Sequence, residues 1–290
     1  RGNNSRSRRS IHLAADIRLS SDGPVFLAMS TPKIRIRGLS KAFGSKVVLD
    51  GIDLDVETGT SMVIIGGSGS GKSVLLRCIL GLIQPDAGTI EIDGENVLTA
   101  SRTRQEELRR QIGMLFQNAA LFDSMSVADN IAFGLRAKHL PKAGPKPSMA
   151  KARELAGNIL QQVGLDASVG LLSPSELSGG MQKRVGLARA IAGQPNILFF
   201  DEPTTGLDPI MGAVIDGLIV DCVQKLGSTA IAITHDMASA QRIGNRAAML
   251  YHGQLVWQGL ASELMNSGNA MVDQFTHGRR EGPIGMELRK

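Results

Sequence analysis

The chain has 290 residues, 42% of them hydrophobic, which is enough for a sizeable core and one or two domains. Aromatic residues make up only 3%, too few for a platform that stacks single-stranded nucleic acid, and no apolar run approaches the ~18 residues that span a bilayer. The formal charge is +5, but residues 1–28 supply +3 of it through Arg1, Arg6, Arg8, Arg9 and Arg18 against Asp16 and Asp22, so the remainder is close to neutral and gives no nucleic-acid footprint.

Residues 1–28 are polar and Arg/Ser-rich. Arg8–Arg9 matches the pair of a twin-arginine signal and the composition that of a transit peptide, but no apolar stretch follows, so a disordered leader is expected. Met29 opens MSTPKIRIRGLSKAFG, where strand alternation begins; the natural protein is expected to start there, with residues 1–28 an extension of the reading frame. Lys33–Arg37 alternates as a strand, and Val47–Val56 reads as a strand pair around a turn. Phe43 precedes that second region as either an adenine-stacking ring or a core aromatic.

Met62–Ile65 is a short apolar run, as a buried parallel strand should be. GGSGSGKS follows it and opens a predicted helix over Lys72–Leu82. The spacing G-x-x-x-x-G-K-S between strand and helix marks a phosphate-binding loop. Gly66, Gly67, Ser68, Gly69, Ser70 and Gly71 would wrap phosphates with backbone N–H groups, Lys72 would reach the β/γ oxygens, and Ser73 would ligate Mg²⁺. The nucleotide implied is ATP.

Gly88–Gly94 reads as a strand, Arg104–Arg110 as a helix and Ile112–Phe116 as a strand ending at Gln117, whose amide could meet Mg²⁺ or a water. Ser126–Lys138, with Ser126 as N-cap, Met149–Val163 and Met181–Ala192 read as helices, and Pro141–Pro147 as a linker. The segment 118–190 is thus a helical subdomain. Cys78 and Cys222, both in predicted helices, read as reduced buried thiols. The strand Ile197–Phe200 ends in Asp201 and Glu202, and the carboxyl edge of a parallel sheet is where ligands sit. Asp201 would hold Mg²⁺ and Glu202 would be the general base for an attacking water. The helix Pro209–Leu226 follows, then the strand Ala230–Thr234 and His235, placed to contact the γ-phosphate. Ala247–Leu250 and Leu255–Trp257 flank YHGQ as a hairpin. The alternation of strands and helices implies a parallel α/β sheet.

SELSGGMQKR places Ser178, Gly179 and Gly180 before a helix, a second anion site in a chain that already has one. A head-to-tail dimer resolves the duplication: each copy's Ser178–Gly180 clamps the γ-phosphate on its partner's Gly66–Ser73, and the interface closes only with nucleotide.

GGSGSGKS, Gln117, LSGGMQ, ILFFDEP, TGLD (Thr205 to Asp208) and His235 resemble, in this order, the ABC ATPase family over residues 33–258. The resemblance implies a cassette with a parallel core sheet, an antiparallel β subdomain and a helical subdomain. It also implies Asp208 at the dimer interface and Phe43 as the adenine-stacking residue, where the family more often has Tyr. MLFQNAALFDSMSVADNIAFGL, LLSPSELSGGM and VDQFTHGRREGPI are similar to the ATP-binding subunit of Mla-type phospholipid transporters, which work with MCE-domain proteins. That likeness implies a peripheral subunit on the cytoplasmic side of a bacterial inner membrane, two copies driving two permease subunits, an MCE ring outside and a small STAS-type partner. Two rivals remain: an ABC subunit importing amino acids or another small solute, and a nucleic-acid or ribosome-acting ABC ATPase. The second is opposed by the single cassette and by the 105 residues separating Ser73 from Ser178, too few for a coiled-coil insertion. The tail after Gly268 reads as disordered by composition, with Phe275 and Gly282–Ile284 expected to dock on the partner ATPase or a regulator.

Overall fold

A computed structural model describes residues 32–137 and 145–285. The expected leader, Met29 and part of the expected linker lie outside the described residues.

Six strands form the main sheet, in the order β10-β9-β3-β8-β7-β6. They are β3 (Ser61–Ile65), β6 (Ile112–Leu115), β7 (Ile197–Asp201), β8 (Thr229–Ile233), β9 (Arg246–Tyr251) and β10 (Gln254–Leu260). All neighbours are parallel except β9 and β10, an antiparallel hairpin whose His252 and Gly253 both have positive φ, 45° and 79°. Two left-handed residues in a row are what a two-residue hairpin turn requires. Strands buried on both faces read as unbroken apolar runs, and their period of two sorts the side chains. Val63, Ile65, Leu198 and Phe200 join one core cluster, while Met62, Ile64, Ile197 and Phe199 join the other.

A second, antiparallel sheet has the order β2-β1-β4-β5, built from β1 (Ile34–Phe43), β2 (Lys46–Val56), β4 (Ala87–Ile92) and β5 (Glu95–Asn96). The strand pair expected within Val47–Val56 is instead one strand. Asp50–Gly51 signals a turn, but Gly51 (φ 66°) makes a bulge against β1, its N–H donating to the Ser40 hydroxyl at 3.0 Å.

The helices are α1 (Lys72–Ile79), α2 (Arg102–Arg110), α3 (Val127–Ala137), α4 (Met149–Gln162), α5 (Gly179–Ile191), α6 (Pro209–Leu226), α7 (Met237–Ile243) and α8 (Ala270–Thr276). α1 stops three residues short of its expected end, because Gly81 turns left-handed at φ 66°. α5 starts two residues earlier than expected, because the Ser178 hydroxyl accepts from the Met181 N–H and draws both glycines into the first turn. α3, α4 and α5 lie between β6 and β7 and share a core cluster with the main sheet. α5 sits very close to its neighbours. A Cβ on Gly113 of β6 would come within 2.4 Å of the Ala190 carbonyl oxygen, and one on Gly134 of α3 within 2.7 Å of the Arg189 carbonyl oxygen.

The described part of the tail, 268–285, is ordered against its own chain. Asn269 caps α8, and Phe275 and Ile284 pack on the chain's own core cluster. Composition missed this because a buried amide adds to that packing: Gln274 accepts from the Ile284 N–H at 2.7 Å and donates to the carbonyls of Ile284 and Arg279. Gln274→Ala is expected to cost about 1–3 kcal/mol locally by orphaning those groups. Faster amide exchange or proteolysis confined to residues 277–285, with the rest of the chain unchanged, is the check.

Candidate nucleotide site

The sheet order brings the functional strand ends together. β8 lies between β3 and β7, so the segment after β8 leaves the carboxyl edge between the ends of the other two. Gly66–Ser73 runs from β3 into α1, Asp201 ends β7 with Glu202 next after it, and His235 follows β8. Gln117 follows β6, on the far side of β7.

The loop can be built only with glycine at its ends. Gly66 has φ 151°, and a Cβ there would stand 2.2 Å from the Leu250 carbonyl oxygen; Gly71 has φ 109°, and its Cβ would stand 2.7 Å from the Val48 carbonyl oxygen. Lys72, 8% exposed, folds back to donate to the Gly66 and Gly67 carbonyls at 2.7 and 3.0 Å. Burial pushes its pKa down, while Glu202 and Asp201 draw it back up. Among the described residues Ser70 keeps a buried hydroxyl without a hydrogen-bond partner inside the loop. An orphaned donor within a ring of glycines fits a polyphosphate, which offers oxygens from several directions.

Glu202 sits just beyond the strand with φ 50°, a left-handed backbone uncommon for a side chain of its size and found preferentially at functional sites. Its N–H donates to the Ile233 carbonyl at 2.9 Å, which registers it on β8. The carboxylate faces His235 Nδ1 at 2.7 Å and accepts from the Thr205 hydroxyl at 3.0 Å. Asp201 next to it is raised in pKa, first by burial and then by the Glu202 charge. A carboxylate in that setting gains from a cation.

Among the described residues no three His, Cys, Asp or Glu side chains form a metal cage. Magnesium on a nucleotide needs none, since it takes one or two protein oxygens and fills its octahedron with phosphate and water. Ser73 at the head of α1, Asp201 and the exposed Gln117 amide offer a donor set of that kind, so the residues fit the ion.

Lys72, Asp201, Glu202 and His235 are therefore one cluster. Ser178, Gly179 and Gly180 open α5, and among the described residues no hydrogen bond joins them to Gly66–Ser73. Asp208 is exposed and caps α6, accepting from the Ile210 and Met211 N–H groups at 3.0 Å each. Phe43, 49% exposed at the end of β1, has the Lys41 ammonium 5.4 Å from its ring centroid. The core reading of Phe43 is excluded by that exposure.

Sequence reasoning passed over two contacts. Thr205 holds the Glu202 carboxylate, and Lys183, one residue beyond LSGGMQ, is buried against the site. A signal for Lys183 existed: Gly180, Lys183, Leu187 and Ile191 share one helical stripe, and a lysine on an otherwise small and apolar stripe is out of place.

The family model described as "ABC transporter" matches residues 49–205. A Mycobacterium leprae protein named "probable ribonucleotide transport ATP-binding protein mkl" is 40% identical over 89% of this chain and 72% of its own length. The "intermembrane phospholipid transport system ATP-binding protein MlaF" of Escherichia coli K12 is 39% identical over 87% of this chain and 91% of its own. A dimeric ATP-binding cassette solved in a post-hydrolysis state with ADP and Pi superposes with a TM-score of 0.71, at 29% identity, over 79% of this chain and 98% of that one. The chain belongs to the ABC transporter family and is an ATP-binding ATPase cassette of it.

Proposed function

We propose that this chain is the ATP-hydrolysing subunit of a transporter that moves phospholipid between the inner and outer membrane. It would work in pairs from the cytoplasmic side of a bacterial inner membrane, driving permease subunits and an MCE-domain protein, with a small STAS-domain protein as a further companion. The observation that carries the phospholipid reading is the near end-to-end likeness to the E. coli phospholipid-transport subunit, over 91% of that protein against 72% of the mycobacterial one. Among the described residues no helix is long and apolar enough to cross a membrane.

A surface suited to that partner adjoins the site. A groove of about 430 Å³, largely apolar, is lined by Leu82, Met114, Phe116, Phe122, Phe133 and Arg189, and it begins at the residue before Gln117. Such a groove suits an apolar helix presented by a permease. Phe122 and Phe133 meet edge to face at 5.0 Å across it. Phe122→Asp is expected to abolish co-purification with the permease while the isolated chain still hydrolyses ATP, because Phe122 is not among the side chains that contact Lys72 or Glu202. Pull-down from solubilised membranes beside a phosphate-release assay reads both.

In the hydrolytic cycle, ATP would lie with adenine against Phe43 and its phosphates in Gly66–Ser73, with Lys72 released from the loop carbonyls to the β/γ oxygens. When bound, Mg²⁺ on Ser73, Asp201 and Gln117 supplies charge neutralisation at those oxygens. Glu202 would take the proton of the attacking water, and His235, paired with it, would orient the γ-phosphate. Ser178, Gly179 and Gly180 of a second copy would close over that phosphate with their free helix-start N–H groups, and Asp208 would lie at the same seam.

The deciding experiment is gentle solubilisation of native membranes carrying the tagged chain. A permease, an MCE-domain protein and phospholipid in the purified complex support the reading. A solute-binding protein of the amino-acid type overturns the cargo and leaves the ATPase standing.

A further inference from the structure

Lys183 lies on α5, five residues after Ser178, and is 6% exposed. A lysine buried to that degree ordinarily meets a carboxylate. Among the described residues this one instead donates to two main-chain oxygens, the carbonyl of Gln117 and, at 3.3 Å, the carbonyl of Glu202. The acceptors follow two neighbouring strands, Glu202 of the hydrolytic cluster after β7 and Gln117 after β6. Burial lowers the lysine's pKa, and the charges of Glu202 and Asp201 counter that.

The same helix holds the Gln117 loop a second time. Arg189 donates to the Ala119 and Ala120 carbonyls at 2.7 Å each, and those two residues are left-handed, at φ 55° and 49°. Arg189 also lines the apolar groove, with its guanidinium 5.7 Å from the Phe122 ring centroid. One helix therefore grips the loop at its groove end through Arg189 and at its hydrolytic end through Lys183. Of the two grips, Lys183 alone also reaches Glu202, whose left-handed backbone needs outside support to persist.

We propose that Lys183 is a positioning residue for ATP hydrolysis. Its ammonium ties the helix that carries Ser178–Gly180 to the backbones of Gln117 and Glu202, so Glu202 is aimed at the attacking water only while α5 is seated against the loop. Lys183 touches neither nucleotide nor water. A shift of the loop at the groove is felt at Glu202 through this one side chain, and nucleotide binding, which depends on Gly66–Lys72, is not.

The test compares Lys183→Met and Lys183→Arg in the full chain, with steady-state ATPase, ATP affinity by calorimetry and melting temperature. Lys183→Met is expected to lower kcat at least tenfold with the ATP Kd within threefold of the parent. Lys183→Arg, which restores a cationic donor, is expected to recover at least a third of the parent kcat. In a Glu202→Gln background, Lys183→Met is expected to lower the residual rate no further. The proposal fails if Lys183→Met keeps kcat within twofold, if ATP affinity falls in parallel with kcat, or if Arg rescues nothing. Should Lys183→Met not accumulate as folded protein, Lys183→Gln decides: a threefold or greater loss of kcat at unchanged Kd supports the proposal, and a parent-like kcat overturns it.

Discussion

Glu202→Gln is expected to lower kcat for ATP by about 10²–10⁴-fold, the range for losing a positioned general base. The amide is nearly isosteric. It can still accept from Thr205 and face His235, so the site keeps its shape and loses only the ability to take a proton. Binding should survive, because the phosphate contacts lie on Gly66–Ser73. A nucleotide that binds and is not hydrolysed holds the interface closed, so the variant should run as a dimer in ATP and as a monomer without it. Size-exclusion chromatography beside a phosphate-release assay reads both halves. Hydrolysis within about threefold of the parent would remove Glu202 as the base.

Lys72→Ala is expected to weaken ATP binding itself, by about 10²-fold, since a charge-assisted hydrogen bond to phosphate is worth about 1.5–3 kcal/mol. The variant should also melt slightly lower, because the Gly66 and Gly67 carbonyls lose their common donor. Calorimetric titration with ATP separates the effects: an unchanged Kd would mean that the lysine serves only to close its own loop. The contrast with Glu202→Gln is the main point. One substitution acts on the barrier at constant affinity and the other on affinity, as expected if the loop after β3 binds and the end of β7 reacts.

Much of this was legible in the residues because local chemistry and tertiary structure agree. α6 runs from Pro209 to Leu226 as expected, since Asp208 caps it, Pro209 fits the first turn and Gly227 ends it in the left-handed region. The glycine loop was legible for the same reason, strand before and helix after. What escaped depends on partners distant in sequence. Gly51 reads as a turn until β1 lies beside it and makes it a bulge. α7 has seven residues, too few for a periodic pattern to show. The order of residues 277–285 draws on the Gln274 amide and the packing of Ile284, neither of which composition can register. Lys183 shows only as a charge on a buried stripe, and its role emerges when β6 and β7 bring two carbonyls to it.

The seating of α5 sets a further condition on the chain. The separation between this helix and its neighbours is fixed where bare backbone oxygens of Ala190 and Arg189 face Gly113 and Gly134. One added methyl at either glycine would lift the helix and, with it, the Lys183 tether. The helix therefore works as a ruler whose zero is set by missing atoms.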